Sequence, residues 1–257
     1  MNTVYFDTFV YNRLVDDKNL QKKISALKDT KRIEIIFSEY LFNELVCTWN
    51  NKSPQRAVDL FKCVLEFISD KILRQRETII NEEITSFVSN CHRPSIFFDQ
   101  IQRNKMLEVM GKLSKGEKIT NIKPVQNIMN NKKKGYDKIK NIIKKYQPKQ
   151  RISANAYSNF EEFYNSPEVK KEESNFITKL LTNKIIKNSD SDLIKQIKTN
   201  ISNLSYFKSY LRMTSVYQYS FFVYKKPLRG DDYDLRHFVC ANKVDILVSD
   251  SDFINIL

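Results

Sequence analysis

Three short runs of β-branched and aromatic residues stand near the two ends of the chain, and they constrain its fold more than any other feature. The runs are "VYF" (4–6), "IEIIF" (33–37) and "DILV" (245–248). Their length and composition are typical of buried parallel strands. Apolar residues recur at roughly helical spacing between the first two runs, so the order strand, helix, strand predicts a right-handed βαβ unit.

The middle of the chain is predicted to be helical, since it contains few glycines or prolines, 4 and 6 in the whole sequence. Ser38 is placed to cap a helix over "EYLFNELVCTWN", and a helix from Ser53-Pro54 to about Leu73 follows. Residues 75–113 are predicted to be helical, as are a group opened by Ser166 and the aromatic-rich stretch 204–226.

These patterns predict an α/β fold assembled from both chain ends. Residues 1–74 and 205–257 are expected to form one discontinuous α/β domain with a central, mostly parallel sheet. Residues 75–204 are expected to form a large all-helical, Lys-rich insertion. Long insertions cost a fold little entropy where they leave and return at a surface, so the strands of the two ends are expected to be neighbours.

A basic region occupies residues 112–151. It holds 13 lysines and arginines against only Glu117 and Asp137, and so carries most of the net charge of +13. Such a region attracts phosphates without selecting a base sequence. A solvated surface in a lysine-rich chain is the alternative. The lysines expected to bind nucleic acid are Lys132, Lys133, Lys134, Lys138, Lys140, Lys144 and Lys145.

Acidic residues follow or flank each predicted strand, and six aspartates fall within the last 27 residues. Ligands of open α/β sheets bind beyond the carboxyl ends of the strands, so these acids are expected to converge. Clustered carboxylates repel one another unless a cation offsets their charge, and oxygen-only clusters suit Mg²⁺ or Mn²⁺. The acids concerned are Asp7, Glu44, Asp231, Asp232, Asp234, Asp250 and Asp252.

Three segments resemble PIN-domain nucleases. "VYFDTFVYN" is similar to the opening strand of that family, "IIFSEYLFNELV" to its second element, and "DYDLRHFVCANKVDILVSDSDF" to its closing element. The resemblance implies a PIN-like three-layer domain and metal-binding roles for Asp7, Glu44, Asp234 and an acid in the turn 249–252. It also implies a divalent-metal-dependent nuclease, most often acting on RNA.

Two features depart from the family pattern. Neither Asp250 nor Asp252 falls at the usual distance from Ser249, so the fourth ligand stays open between them. The chain is also about twice the usual length of the family's domain.

The mechanism expected from this resemblance is metal-assisted hydrolysis of a phosphodiester bond. The ligands would be Asp7, Glu44 and Asp234, with Asp250 or Asp252, and Asp231 is a further candidate. Thr8 and Ser249 would add hydrogen bonds, and the helical insertion offers a surface for a protein partner.

Ordinary structural roles compete at several of these positions. Asp7 is placed to cap a helix, Glu44 to face solvent, and the aspartates 231–234 to favour a helix N-terminus through its dipole. Asp245 is interpreted as a turn residue rather than a ligand, and His237 as a core residue or a support for a ligand.

Two alternative functions remain. A PIN-like domain without catalysis would bind nucleic acid or act as a scaffold. A phosphatase of the haloacid dehalogenase type is the other, because "FDTF" and "RGDDYD" superficially resemble its motifs. That family has a second Asp two residues after the nucleophile, whereas Phe9 stands there.

The sequence argues against zinc, secretion and membrane insertion. Its four cysteines show no CxxC spacing and only two histidines accompany them, which predicts reduced thiols in a cytoplasmic protein. The amino terminus lacks the pattern of a signal peptide, and no stretch approaches the ~20 apolar residues of a membrane span.

Overall fold

The computed structural model describes residues 1–51, 54–91, 95–117, 157–182, 191–224 and 244–249. Within these ranges, four parallel strands form one sheet in the order β3-β2-β1-β4. The strands are β1 (Asn2–Phe6), β2 (Ile33–Ser38), β3 (Ile68–Leu73) and β4 (Ile246–Val248). The predicted α/β class is confirmed. Because β4 pairs with β1 from Val4–Ile246 to Phe6–Val248, the strands of the two chain ends are neighbours, as predicted.

Ten α-helices are described in the same ranges. They are α1 (Thr8–Asp16), α2 (Lys18–Asp29), α3 (Glu39–Asn51), α4 (Pro54–Phe67), α5 (Arg76–Val88), α6 (Gln100–Ser114), α7 (Phe160–Tyr164), α8 (Pro167–Leu180), α9 (Ser191–Thr199) and α10 (Ser205–Tyr224). A 3₁₀ turn, Ile201–Asn203, precedes α10. Ser166 caps α8 by accepting a hydrogen bond from the Val169 amide at 3.3 Å, which agrees with the helical group predicted to open there.

The prediction of a helix up to Leu73 is wrong. The helix ends at Phe67, and the next six residues form β3. The reason is tertiary, because a strand needs backbone partners that are distant in sequence. β3 pairs with β2 on one side, while on the other its Ile72 carbonyl accepts from the Phe98 amide at 2.9 Å. The helix predicted over 75–113 is likewise interrupted, since α5 ends at Val88 and α6 begins at Gln100.

Alternate strand residues point to opposite faces of the sheet, as the pleat requires. On one face, residues such as Phe6 and Phe37 belong to the largest buried cluster, which α1, α3, α4 and α6 cover. On the other face, Tyr5 and Ile36 pack with Tyr40. Helix α6 lies within the predicted insertion, yet it packs against α4 in the largest cluster.

A second core unites α5 with α8, α9 and α10. It contains a buried acid, Glu83, which is only 3% exposed to solvent. The Glu83 carboxylate accepts hydrogen bonds from the amides of Tyr206 and Phe207, at 3.2 and 2.9 Å. These amides belong to the first turn of α10, where a helix leaves its N–H groups without internal partners, so Glu83 joins α5 to the start of α10. Among the described helices, none has the length and apolarity needed to cross a membrane.

Candidate functional site

Asp7 stands where β1 ends and α1 begins. Its backbone is extended, at φ −80° and ψ 179°, and its Oδ1 accepts a hydrogen bond from the Val10 amide at 3.0 Å. Asp7 is therefore the N-cap of α1, one of the roles anticipated from the sequence. Its second oxygen, Oδ2, accepts a hydrogen bond from the Ser249 hydroxyl. One carboxylate thus joins the end of β1 to the residue that follows β4.

Glu44 approaches the same place from α3. Its side chain is half-buried, and its Oε2 accepts a hydrogen bond from the Thr8 hydroxyl. It therefore faces the start of α1, in contrast to the solvent-facing alternative. Since Thr8 follows Asp7 directly, this dipeptide links α3 and the end of β4. We call Asp7, Thr8, Glu44 and Ser249 the β1–β4 site.

A buried hydrogen bond fixes the start of α3, and so the position of Glu44 one and a half turns later. Ser38 Oγ accepts from the Leu41 amide at 3.1 Å, which confirms Ser38 as the N-cap of α3. The same oxygen lies 2.6 Å from the Tyr5 hydroxyl on β1. Buried hydrogen bonds therefore connect β1, the end of β2 and the start of the helix that carries Glu44.

The topology of the sheet gives this place a special character. After β1 the chain adds β2 and β3 on one side, and it returns to add β4 on the other. Asp7 and Ser249 follow the two strands that flank this reversal. In open α/β sheets, the crevice beyond the carboxyl ends of such strands is where ligands bind.

The other predicted metal ligands lie outside the described residues. These ligands are Asp231, Asp234, Asp250 and Asp252. The same is true of Asp232, His237 and all seven lysines of the predicted nucleic-acid surface. Within the residues that the structure describes, no group of three or more His, Cys, Asp or Glu side chains is arranged to hold a metal ion. The described part of the predicted ligand set is the pair of carboxylates of Asp7 and Glu44.

Asp245 lies at the opposite end of the strands. Its carboxylate accepts hydrogen bonds from the Thr3 amide at 2.7 Å and the Thr3 hydroxyl at 2.8 Å. These bonds hold the pKa of Asp245 below its usual value. Asp245 thus anchors the start of β4 to β1, which agrees with its interpretation as a turn residue.

A second polar group, absent from the sequence-based predictions, lies at the carboxyl end of β3. The Arg76 guanidinium donates to Glu77 at 2.6 Å, and the Tyr40 hydroxyl donates to the other oxygen of Glu77. Arg76 is 8% exposed and its guanidinium carbon lies 4.6 Å from the centre of the Tyr210 ring. We call Tyr40, Arg76, Glu77 and Tyr210 the α5 cluster. The signal for it, "RQRE" at 74–77, directly follows the strand that was predicted as helix.

The electrostatics of the α5 cluster reflect its pairing. Burial alone would raise the pKa of Glu77, but the Arg76 charge and the Tyr40 hydroxyl outweigh it and lower this pKa to about 2. Burial alone would lower the pKa of Arg76, but Glu77 raises it above its usual value. Nearby Glu39 differs, because burial raises its pKa although the Gln75 amide donates to it at 2.7 Å.

Comparisons of the chain with protein-family models, curated proteins and solved structures found no match.

Proposed function

We propose that this chain is a divalent-metal-dependent nuclease that hydrolyses phosphodiester bonds, with RNA as its substrate, on a PIN-like domain. The observation that carries the proposal is the β1–β4 site. Two carboxylates from separate elements and two hydroxyls lie together beside the strand reversal of a parallel sheet. The parallel sheet and the position of the site at its carboxyl end support the resemblance of the three sequence segments to PIN-domain nucleases. The nuclease activity itself is inferred from that resemblance.

The donor set of the site fits Mg²⁺ or Mn²⁺. Carboxylate oxygens are the ligands that these hard cations prefer. Asp7 and Glu44 would hold the cation together with Asp234 and with Asp250 or Asp252, and Asp231 is a further candidate. A bound cation would neutralise phosphate charge and acidify a water molecule.

The protein's own side chains would orient this ligand set. Oδ1 of Asp7 is held by the Val10 amide, which leaves its carboxylate in one orientation. The Thr8 hydroxyl would hold the Glu44 carboxylate toward the start of α1, and the Ser249 hydroxyl would hold the Asp7 carboxylate toward the end of β4. Residues that orient metal ligands in this way typically contribute 10- to 100-fold to metal affinity or activity.

Cleavage of labelled single-stranded RNA and DNA tests the proposal. The wild type is assayed with Mn²⁺, Mg²⁺ or EDTA beside Asp7→Asn, Glu44→Gln and Asp234→Asn. We expect metal-dependent cleavage of RNA that falls by at least about 100-fold in each variant, because losing a charged ligand should cost more than the 10- to 100-fold typical of losing a residue that orients one.

Asp17→Asn is the matched control for Asp7→Asn. Asp17 also caps a helix, accepting from the Asn19 and Leu20 amides at 2.9 and 3.0 Å, and it lies at the far end of α1. Asn caps helices about as well as Asp, so neither change should unfold the protein. Wild-type cleavage in Asp7→Asn, or equal losses in Asp7→Asn and Asp17→Asn, would contradict the proposal.

The basic region would bind the nucleic acid backbone. Replacing Lys132, Lys133 and Lys134 with Gln should weaken RNA binding and lower its salt dependence, since fewer counterions are released. Unchanged affinity and an unchanged salt slope would remove these lysines from the proposed surface.

A second candidate is a PIN-like module that binds nucleic acid or a protein without cleaving. The observation in its favour is that Asp7 already serves the fold, capping α1 and bonding to Ser249. Equal inertness of the wild type and all three acid variants, with RNA binding retained, would select this candidate.

A further inference from the structure

An exposed aromatic ring lies on the same turn as the β1–β4 site. Phe9 is 42% exposed, and it is separated from Asp7 only by Thr8. Among the described residues, the exposed large hydrophobic side chains are Met1, Phe9, Val88, Ile101 and Ile246. Phe9 is the aromatic member of that described set, and it lies in the segment that carries Asp7 and Thr8.

The orientation of α1 explains why Phe9 faces outward. This helix buries Val10, Tyr11 and Leu14 against the sheet. Phe9 and Arg13, one turn apart, lie on the other side, where the Arg13 guanidinium carbon is 5.3 Å from the centre of the Phe9 ring. The pair combines a flat apolar face with an exposed cation, next to the carboxylates of the site.

We propose that Phe9 stacks on an unpaired base of the nucleic acid substrate, next to the phosphate at the β1–β4 site, and that Arg13 supports the ring and the adjacent backbone. Aromatic rings bind single-stranded nucleic acids in this way because every base presents a π face, while a nearby cation attracts the phosphates. A base held in a duplex is already stacked and presents no free face. Phe9 would therefore favour single-stranded over double-stranded substrate, an inference that rests on the proposed function.

Equilibrium binding in EDTA tests this role without cleavage. The probes are a labelled 12-nucleotide RNA of mixed sequence and the same RNA in a duplex. Phe9→Ala should weaken binding to the single strand roughly 5- to 160-fold, the range that corresponds to losing one aromatic stack, and change duplex binding less than about twofold. Phe9→Trp should restore single-strand binding.

Phe9→Leu is the matched control at the same position, since it keeps an apolar side chain but removes the π face. We expect it to bind the single strand as weakly as Phe9→Ala, with melting temperatures of all variants close to that of the wild type. Wild-type binding by Phe9→Leu or Phe9→Ala would overturn the inference. So would equal losses on single strand and duplex, or a wild type that binds neither probe.

The two proposals can fail separately. If Asp7→Asn loses cleavage while the Phe9 variants bind and cleave like the wild type, the inference about Phe9 fails and the nuclease stands. If no variant or wild type cleaves but Phe9→Ala still loses single-strand binding, stacking by Phe9 is supported and the nuclease proposal fails.

Discussion

The β1–β4 site and the α5 cluster both lie at the carboxyl end of the sheet, but the groups described around their carboxylates differ. In the α5 cluster, Glu77 is paired with a guanidinium, and the pair is stabilised by the Tyr40 hydroxyl. In the β1–β4 site, the hydrogen bonds described at Asp7 and Glu44 come from hydroxyls and a backbone amide. The Arg76 charge offsets that of Glu77, whereas the hydroxyls and the amide described at the β1–β4 site fix the orientation of its carboxylates.

This difference indicates different roles. The α5 cluster joins α3, through Tyr40, to α5 and to Tyr210 on α10, so it connects the sheet with the second core. The β1–β4 site gathers oriented carboxylates at the strand reversal, the place where open α/β sheets bind their ligands. We therefore expect changes in the α5 cluster to act mainly on stability and changes in the β1–β4 site to act mainly on activity.

Arg76→Met should have the largest effect on stability. It removes a buried cation that contacts Glu77 and the Tyr210 ring. Glu77 is 43% exposed, so solvent reduces the usual cost of breaking a buried pair, and we expect a loss of about 2–3 kcal/mol in the free energy of unfolding. Denaturant titration measures it.

Arg103→Met is the control for Arg76→Met, because Arg103 pairs with Asp70 at 3.4 Å and that partner is 88% exposed. Its loss should be smaller, about 1 kcal/mol or less. Equal losses in the two variants would contradict a special structural role for the α5 cluster.

Tyr40→Phe should have an intermediate effect that depends on pH. The pKa of Glu77 is lowered to about 2 in the folded protein, against an ordinary value of 4.5. Its contribution to stability is therefore fully present above pH 4.5 and is lost as the pH falls toward 2. Removing the Tyr40 hydroxyl should cost about 1 kcal/mol at pH 7 and less at pH 2.5, measured by denaturant titration at both values.

Two glutamates allow the sign of this pH dependence to be checked. In the wild type, protonation of Glu77 lowers the free energy of unfolding as the pH falls below 4.5. Glu77→Gln should lack this part of the pH dependence. Glu39 has the opposite sign, because burial raises its pKa, so its ionisation costs stability above pH 4.5 and protonation relieves that cost. Glu39→Gln should then be more stable relative to the wild type at pH 7 than at pH 4. A flat pH difference for both variants would contradict the assigned shifts.

Ser249→Ala should have the smallest effect on stability and a larger one on activity. It removes the hydroxyl bonded to Asp7, a half-buried hydrogen bond worth about 0.5–1 kcal/mol. If Ser249 orients a metal ligand, cleavage should fall at least about tenfold. Ser114→Ala is the control, because it removes a hydroxyl bonded to the Gly111 carbonyl at 2.8 Å and should leave cleavage unchanged. Similar cleavage by Ser249→Ala and Ser114→Ala would contradict a role of Ser249 in activity.

The sequence alone determined those parts of the fold that depend on local patterns. The β-branched runs predicted β1, β2 and β4, and the hydroxyl of Ser38 in front of an amphipathic segment predicted the cap of α3. Asp7 and Glu44 were predicted as site residues from their places after a strand and on the next helix, together with the resemblance of those segments to PIN-domain nucleases. Strand and helix periodicity, and caps, are properties of neighbouring residues, so they are visible in a single sequence.

The tertiary structure alone decided β3 and the polar groups that depend on it. The residues of β3 continue a helical pattern, and only the backbone of β2 and of residues 96–98 makes them a strand. In the α5 cluster, the neighbours Arg76 and Glu77 meet partners that are distant in sequence, since Tyr40 is 37 positions from Glu77 and Tyr210 lies on another helix. Asp7 and Ser249 are 242 positions apart, and although the sequence predicted that their strands are neighbours, the hydrogen bond between them is set by the pairing of β1 with β4. Contacts at such separations are set by how elements pack, and no local pattern encodes them.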